Sequence, residues 1–309
     1  MPLQQVNASG LTAEIRDSYD KTMLYVARPE LIHAKYGRAK RIPKGEGRTV
    51  HWRRYALLPP ATVPLTEGVT PAGNSLTIQE VVVTVQQYGD FVPFTDVVTV
   101  VSIDPLMVEN AEILGQQAGN TLDIITRDAI NSGTNIRYAN AKVSRGTVAA
   151  GDIITDAEIK KMRRTLKRQN VKPATGGSYV AIVHPDTMID VMSTDAWKLP
   201  GYYQDKSQID DGTVRSLYGV MFLETTNAKV FTGQGQGGID VYATVCFGME
   251  AFAYVDLQDL GLETIYKALG SAGTDDPLNQ RQTQAWKATY AAKILNDNYL
   301  VRLDHAVSN

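Results

Sequence analysis

Apolar positions follow two rhythms along this chain, and each rhythm predicts a different kind of element. Met107, Ala111, Leu114, Ala118, Leu122, Ile125 and Ala129 recur at spacings of three and four, which puts them on one face of an amphipathic helix. Asp104 offers a side-chain acceptor at the N-cap, and Pro105 fits the first helical position, where its missing N–H would have had no partner. Asn131-Ser132-Gly133 ends the run. The expected helix, 104–132, has about seven turns and measures about 40 Å at 1.5 Å per residue. Such a length is about twice the globular mean and marks an organising element. Another helix is expected over 11–36, on a stripe of Ala13, Ile15, Tyr19, Met23 and Val26 interrupted by Pro29. A third opens at Thr155, which with Glu158 forms a capping box ahead of Ile159, Met162 and Leu166. A fourth starts at Pro185-Asp186.

A period of two predicts strands. Val50 and Trp52 alternate with His51 and Arg53, and the stretch from Leu76 to Asp96 is rich in β-branched residues, among them Ile78, Val81, Val82, Val83 and Val85. Prolines at 59, 60 and 64 and a Gly/Pro-bearing tip over 67–74 lie between. Residues 48–96 therefore read as one long hairpin, whose legs reach well over ~30 Å at ~3.3 Å per residue. Two strands alone do not bury their own faces, so this excursion needs a surface outside itself. Beyond it, strands are expected at 179–183, 219–225, 239–247 and 262–268, a hairpin at 250–256, a loop over 200–212, and two strands between 284 and 305. That order is α+β.

Composition narrows the class. With 309 residues, 43% hydrophobic and 21% charged, the chain suits one large domain or two medium ones. A net charge of -2 argues against a dedicated nucleic-acid binder. Cys246 is the single cysteine, which excludes an intrachain disulfide and a multi-cysteine zinc site. No run approaches the ~20 apolar residues of a membrane span, and the first residues lack the basic and apolar regions of a secretory signal, so synthesis in the cytoplasm is expected.

Candidate chemistry is thin. Gly233-Gln-Gly235-Gln-Gly237-Gly238 satisfies a dinucleotide-type glycine pattern, but an alternating strand follows where that motif requires a helix N-terminus. His184 and Asp186 stand at a strand-to-helix turn, where residues two apart point away from each other, and Asp186 suits the first turn of the helix. Lys160, Lys161, Arg163, Arg164, Lys167 and Arg168 surround an apolar line as a solvated helix face does, with no interleaved aromatics to stack bases. Cys246 reads as packing. No catalytic, cofactor-binding or metal-binding residue is assigned. Charge is more telling. Residues 28–54 hold nine Lys/Arg against Glu30 and Glu46, whereas 239–276 hold seven acids against Lys267. A solvated basic arm and a basic arm lying on an acidic neighbour both fit that pattern.

Tyr88-Gly89-Asp90-Phe91-Val92-Pro93-Phe94-Thr95-Asp96 ahead of the long helix, Val183-His184-Pro185-Asp186, Gly219 to Thr225, and Asp276-Pro277-Leu278-Asn279-Gln280-Arg281 followed by Trp286-Lys287 resemble, in order and spacing, segments of the major capsid proteins of tailed bacteriophages. The resemblance spans about 48–305. It implies the α+β Hong Kong 97-type capsid fold, shared with encapsulins: an N-terminal arm (1–47), an extended loop (48–97), a peripheral domain (98–149 and 276–309, with the spine helix at 104–132) and an axial domain (150–275). The implied function is a coat protein that self-assembles into hexamers and pentamers of an icosahedral shell around double-stranded DNA, in the virion and, during assembly, the host cytoplasm. Implied partners are scaffolding, portal and decoration proteins, with no cofactor and no membrane. An encapsulin-like compartment shell and an enzyme with an unrecognised site are the rival readings. Arg38, Lys40, Arg41, Arg48, Arg53, Arg54 and Glu67 are the expected inter-subunit contacts, the basic arm meeting acids of the next subunit. Some relatives lock their shells with Lys–Asn bonds from the extended loop. Here no lysine occurs from Gly45 through Ala141, so a non-covalent shell is expected.

Overall fold

The computed structural model describes residues 32–43, 47–56, 58–65, 67–68, 70, 73–101, 106–198, 217–257 and 262–308. The expected helix over 11–36, the cap at Asp104-Pro105 and the loop at 200–212 lie outside these residues, except that His33–Tyr36 forms a short 3-10 turn.

Two sheets share the long helix α2 (Leu106–Asn131), which follows the short α1 (Asp96–Val101). The first sheet is built around β12 (Arg281–Ile294). On one side β12 pairs antiparallel with β4 (Gln86–Thr95); on the other it pairs first with β11 (Leu262–Lys267) and then with β10 (Phe252–Leu257), which pairs parallel with β1 (Arg38–Ile42). Alternation along β12 sends Trp286, Ala288 and Tyr290 onto Leu114, Ala118 and Leu122 of α2, so the helical stripe meets a strand stripe. Gly89 explains part of the Tyr88-Gly89-Asp90 segment: a Cβ there would stand 2.6 Å from the Trp286 carbonyl oxygen, so glycine lets β4 close against β12.

The second sheet runs β5 (Ile136–Tyr138), β13 (Leu300–His305), β9 (Val241–Phe247), β6 (Tyr179–Val183), β7 (Val220–Glu224), with β8 (Val230–Phe231) paired to β9. Both of its faces are covered. Ile159, Met162 and Leu166 of α3 (Asp156–Arg168) and Met188 and Val191 of α4 (Pro185–Ser193) pack on one face; Ile130 of α2 and Phe252 pack on the other. The unbroken apolar run of β6 follows from that double cover. A one-turn α5 (Asp195–Lys198) completes the described helices.

Four expectations change. The return leg from Leu76 to Asp96 is two strands, divided at the buried Val85: β3 (Ile78–Thr84) pairs with β2 (Thr49–Tyr55), while β4 leaves for the β12 sheet. The hairpin expected at 250–256 is absent; Glu250, at φ 60°, turns the chain from β9 in one sheet to β10 in the other. The capping box does not form, because Thr155 makes no side-chain cap bond and Glu158 instead takes Lys161 at 2.6 Å. Finally, the sheets cut across the segments 150–275 and 276–309, since β10 and β11 join β12 while β13 joins β9. Strand pairing is a long-range choice that local alternation does not encode.

Candidate assembly surface

The hairpin ladder runs in register from Thr49 opposite Thr84 to Tyr55 opposite Ile78, and the Ala56 N–H extends it to the Thr77 carbonyl at 2.9 Å. Its root is anchored: Val50 and Val83 are buried with Ile42, Val85 and Val255, and Trp52 and Val81 pack beside them. Its far end is not. Tyr55, Leu58, Leu76 and Ile78 are exposed, and Val63 and Leu65 are 81% and 78% exposed. A second exposed apolar set, Phe91 of β4, Val97 and Val98 of α1 and Ile113 of α2, lies on elements that pack on one another. Large apolar side chains left exposed on neighbouring positions are a feature of association sites.

The structure places each expected contact residue. Arg38 donates from Nη1 to Glu250 Oε1 at 3.0 Å, and Arg41 lies in register with Asp256. Basic arm and acidic segment thus meet within one chain, through the β1–β10 ladder. Lys40 Nζ stands 5.7 Å above the Trp52 ring. On the outer face of the hairpin, His51 Nδ1 and Arg53 Nε approach Glu80 Oε1 at 2.8 and 3.9 Å. Arg54 donates to the Gln79 amide oxygen at 2.6 Å. Arg48 is exposed and accepts the Val85 N–H on its carbonyl. Glu67 is exposed at the tip, away from the other six. Exposed ion pairs of this kind contribute about 0–1 kcal/mol each, so these cations hold little of the monomer together.

Polar nodes that sequence reasoning missed fasten the arm and helix. His33 donates its backbone N–H to Asp123 Oδ1 at 2.8 Å, its ring Nδ1 lies 2.7 Å from Oδ2, and both residues are buried. Asn227 donates to Asn120 at 2.9 Å and reaches Asp123 at 3.4 Å, bringing the second sheet to the same point. Gln117 accepts from Trp286 Nε1 and donates to Asp90, and that bond, with the Phe91 N–H, holds the Asp90 carboxyl below its usual range. Buried Asp304 takes Arg302 and Arg145, and the Arg145 guanidinium lies 3.3 Å over the Phe231 ring. No short motif carries these pairs; His33 and Asp123 are 90 residues apart.

The rejected motifs find structural roles. His184 and Asp186 do not point apart as expected: His184 caps α4 by accepting the Asp186 N–H on Nδ1, that nitrogen also lies 3.1 Å from Asp186 Oδ2, and Asp186 accepts the Tyr242 hydroxyl at 2.8 Å. Burial, with help from Asp186, pushes the Tyr242 phenol up to about 12. Burial pushes the Cys246 thiol up to about 12 and the His305 imidazole down. Gly233 donates to Asp240 in a loop that leads into β9 and not into a helix. A 670 Å³ cavity beside that loop has Asp240 and Tyr242 as its ionisable lining, and both already have these partners. Among the described residues no group of three or more His, Cys, Asp or Glu is placed to hold a metal ion.

A two-sheet body on one long helix, with an anchored arm and a hairpin whose apolar end no described residue covers, defines a subunit built to be completed by other subunits. The chain belongs to the phage capsid protein family, whose model matches residues 78–303. No curated protein sequence matches it. Its fold is similar to that in the capsid of cyanophage P-SCSP1u (TM-score 0.69, 13% identity, 90% of this chain and 89% of that one). It is also similar to the capsid of Ralstonia phage GP4 (TM-score 0.70, 11% identity, 89% and 88%) and of cyanophage Pam1 (TM-score 0.67, 15% identity, 100% and 95%). The fold is thus of the Hong Kong 97 capsid type, and the protein is a structural component of a capsid shell. Family membership points to a non-enzymatic role, to self-association and to a place in the virion.

Proposed function

We propose that this chain is a major capsid protein whose copies form the hexamers and pentamers of an icosahedral shell around double-stranded DNA. The observation that carries the reading is the hairpin: seven paired positions project from a buried root to an exposed apolar end. Burial at ~25 cal/mol per Å² of apolar area rewards covering that end with another subunit. In this reading residues 1–47 act as the arm, 48–97 as the extended loop and α2 as the spine of a peripheral unit. The sheet of β6, β7, β9 and β13 forms the axial unit. Scaffolding, portal and decoration proteins are its partners, and assembly takes place in the host cytoplasm. Because 45–141 lacks lysine, the loop supplies no amine and the shell is non-covalent.

Expression of the chain alone and with its neighbouring genes, followed by electron microscopy, tests the proposal. Closed icosahedral shells are expected. Monomers or open tubes under both conditions would refute it. Purified particles should run at single-chain mass on denaturing gels, and a ladder of covalent multimers would contradict the non-covalent shell.

A further inference from the structure

We propose that a guanidinium-rimmed groove at the root of the hairpin receives Glu67 from the hairpin tip of a second copy of this chain. The proposal rests on the shell-forming reading above and names the contact that would order it.

The groove has a volume of 180 Å³, with Trp52, Val81, Leu295 and Tyr299 as its apolar lining and Arg38, Arg53, Arg54, Glu250 and Asn296 as its polar lining. Small-molecule sites run to about 300–1,000 Å³, so this one is sized for a side chain. Its charge is unbalanced. Glu250 answers Arg38, but among the described residues Arg54 meets only the neutral amide oxygen of Gln79, and the Lys40 ammonium lies beside Trp52. A planar guanidinium at the edge of an apolar floor favours a carboxylate, which it binds in two-point geometry.

The hairpin tip has the complementary character. Between Ala56 and Thr77 the one ionisable residue is Glu67. Exposed Val63 and Leu65 precede it, and among the described residues its carboxylate has no ion-pair or hydrogen-bond partner. No described tip residue lines the groove of its own chain. Tip and groove occupy different places on one molecule, so their pairing is head-to-tail. Repeated around a rotation axis, such a contact closes a ring. A single charge pair seated among apolar groups sets register more than it adds affinity.

Charge exchange tests the pairing. Glu67→Arg and Arg54→Glu should each abolish shells while leaving the urea midpoint unchanged, and the double variant should restore them. Normal shells from Glu67→Ala would overturn the pairing, as would failure of the double variant to restore shells. So would loss with Arg54→Glu but not with Glu67→Arg, which would give the groove to another segment. A second readout does not need shells: Glu67→Cys mixed with Arg54→Cys should form a disulfide-linked dimer on mild oxidation, Cys246 being buried. If the wild type forms no shells but the mixed cysteines link, the pairing stands and the shell reading fails. Shells without the link or the rescue overturn the pairing alone, and neither shells nor link overturns both.

Discussion

Asp123 is the most exacting place to test how the arm is held. Its carboxylate is fully buried against His33, itself 2% exposed, and takes the His33 N–H at 2.8 Å and the ring at 2.7 Å. Asp123→Ala leaves that N–H, the ring and the Asn227 amide facing one another across a dry gap. The cost is that of leaving buried donors without their shared acceptor, about 2–5 kcal/mol in all. Each neutral donor left without an acceptor accounts for about 1–3 kcal/mol of such losses. Asp123→Asn keeps one acceptor oxygen and should recover about half of the loss. Urea unfolding at constant m supplies the totals, and the cycle with His33→Ala should show a coupling above about 1 kcal/mol, since the two side chains touch. A local readout is available as well. β1 pairs with β10 alone among the described strands, so in Asp123→Ala its amides from Arg38 to Ile42 should lose exchange protection while those of β9 keep theirs. A cost for Asp123→Ala below about 1 kcal/mol, or unchanged protection in β1, would refute the latch.

Four further outcomes follow from the geometry. Replacing Val63 and Leu65 with serine should shift monomer stability by less than about 0.5 kcal/mol, since both are exposed, yet abolish shells by electron microscopy; shells from that variant would deny the tip its role. Cys246, with its thiol pushed up to about 12 by burial, should resist a thiol-reactive disulfide at pH 8 until urea unfolds the chain, and rapid labelling of the native protein would contradict this. Gly248→Ala should cost about 1–3 kcal/mol by overpacking, because a Cβ there would lie 2.3 Å from Val171 Cγ1 and 2.5 Å from the Lys172 carbonyl oxygen; an unchanged urea midpoint would show that the turn relaxes freely. Desolvation opposes the Asp152 carboxylate, but the Ala149 N–H, the Asn140 amide and Lys142 outweigh it and hold its pKa below the usual value. A folded pKa lower than the unfolded one means stabilisation present above about pH 4 and lost as pH falls further. Asp152→Asn should therefore be less stable than wild type at pH 7, with a gap that narrows by pH 3. A gap independent of pH would refute the assignment.

Elements whose cause is local were readable from the chain. The α2 stripe, the caps at Pro185-Asp186, the alternation of Val50 and Trp52 and the apolar run of β6 each stand where the pattern put them. The capping box at Thr155 failed because a nearer cation, Lys161, competed for Glu158. The 250–256 hairpin failed because turn residues at Gly248 to Glu250 mark a reversal without saying which strands it joins. Of the assembly surface, the residue types were readable and their partners were not. Arg38 lay in a basic run, but that Glu250 of the same chain meets it was decided by the β1–β10 ladder.

The sequence by itself determined the strongly periodic elements, α2, α3, α4, β2 and β6 among them, that the hairpin end cannot be core, that no lysine is available in the loop, and which family the chain resembles. These depend on residue type and on spacing within a few turns. Only the tertiary structure decided that the return leg divides at Val85 and that β10 and β13 exchange the sheets their neighbours suggest. It also decided that Asp123 holds the arm and that Trp52, Arg38 and Arg54 surround one groove. Each of these is a contact between residues distant along the chain, selected by which faces remain to be buried once the local elements exist.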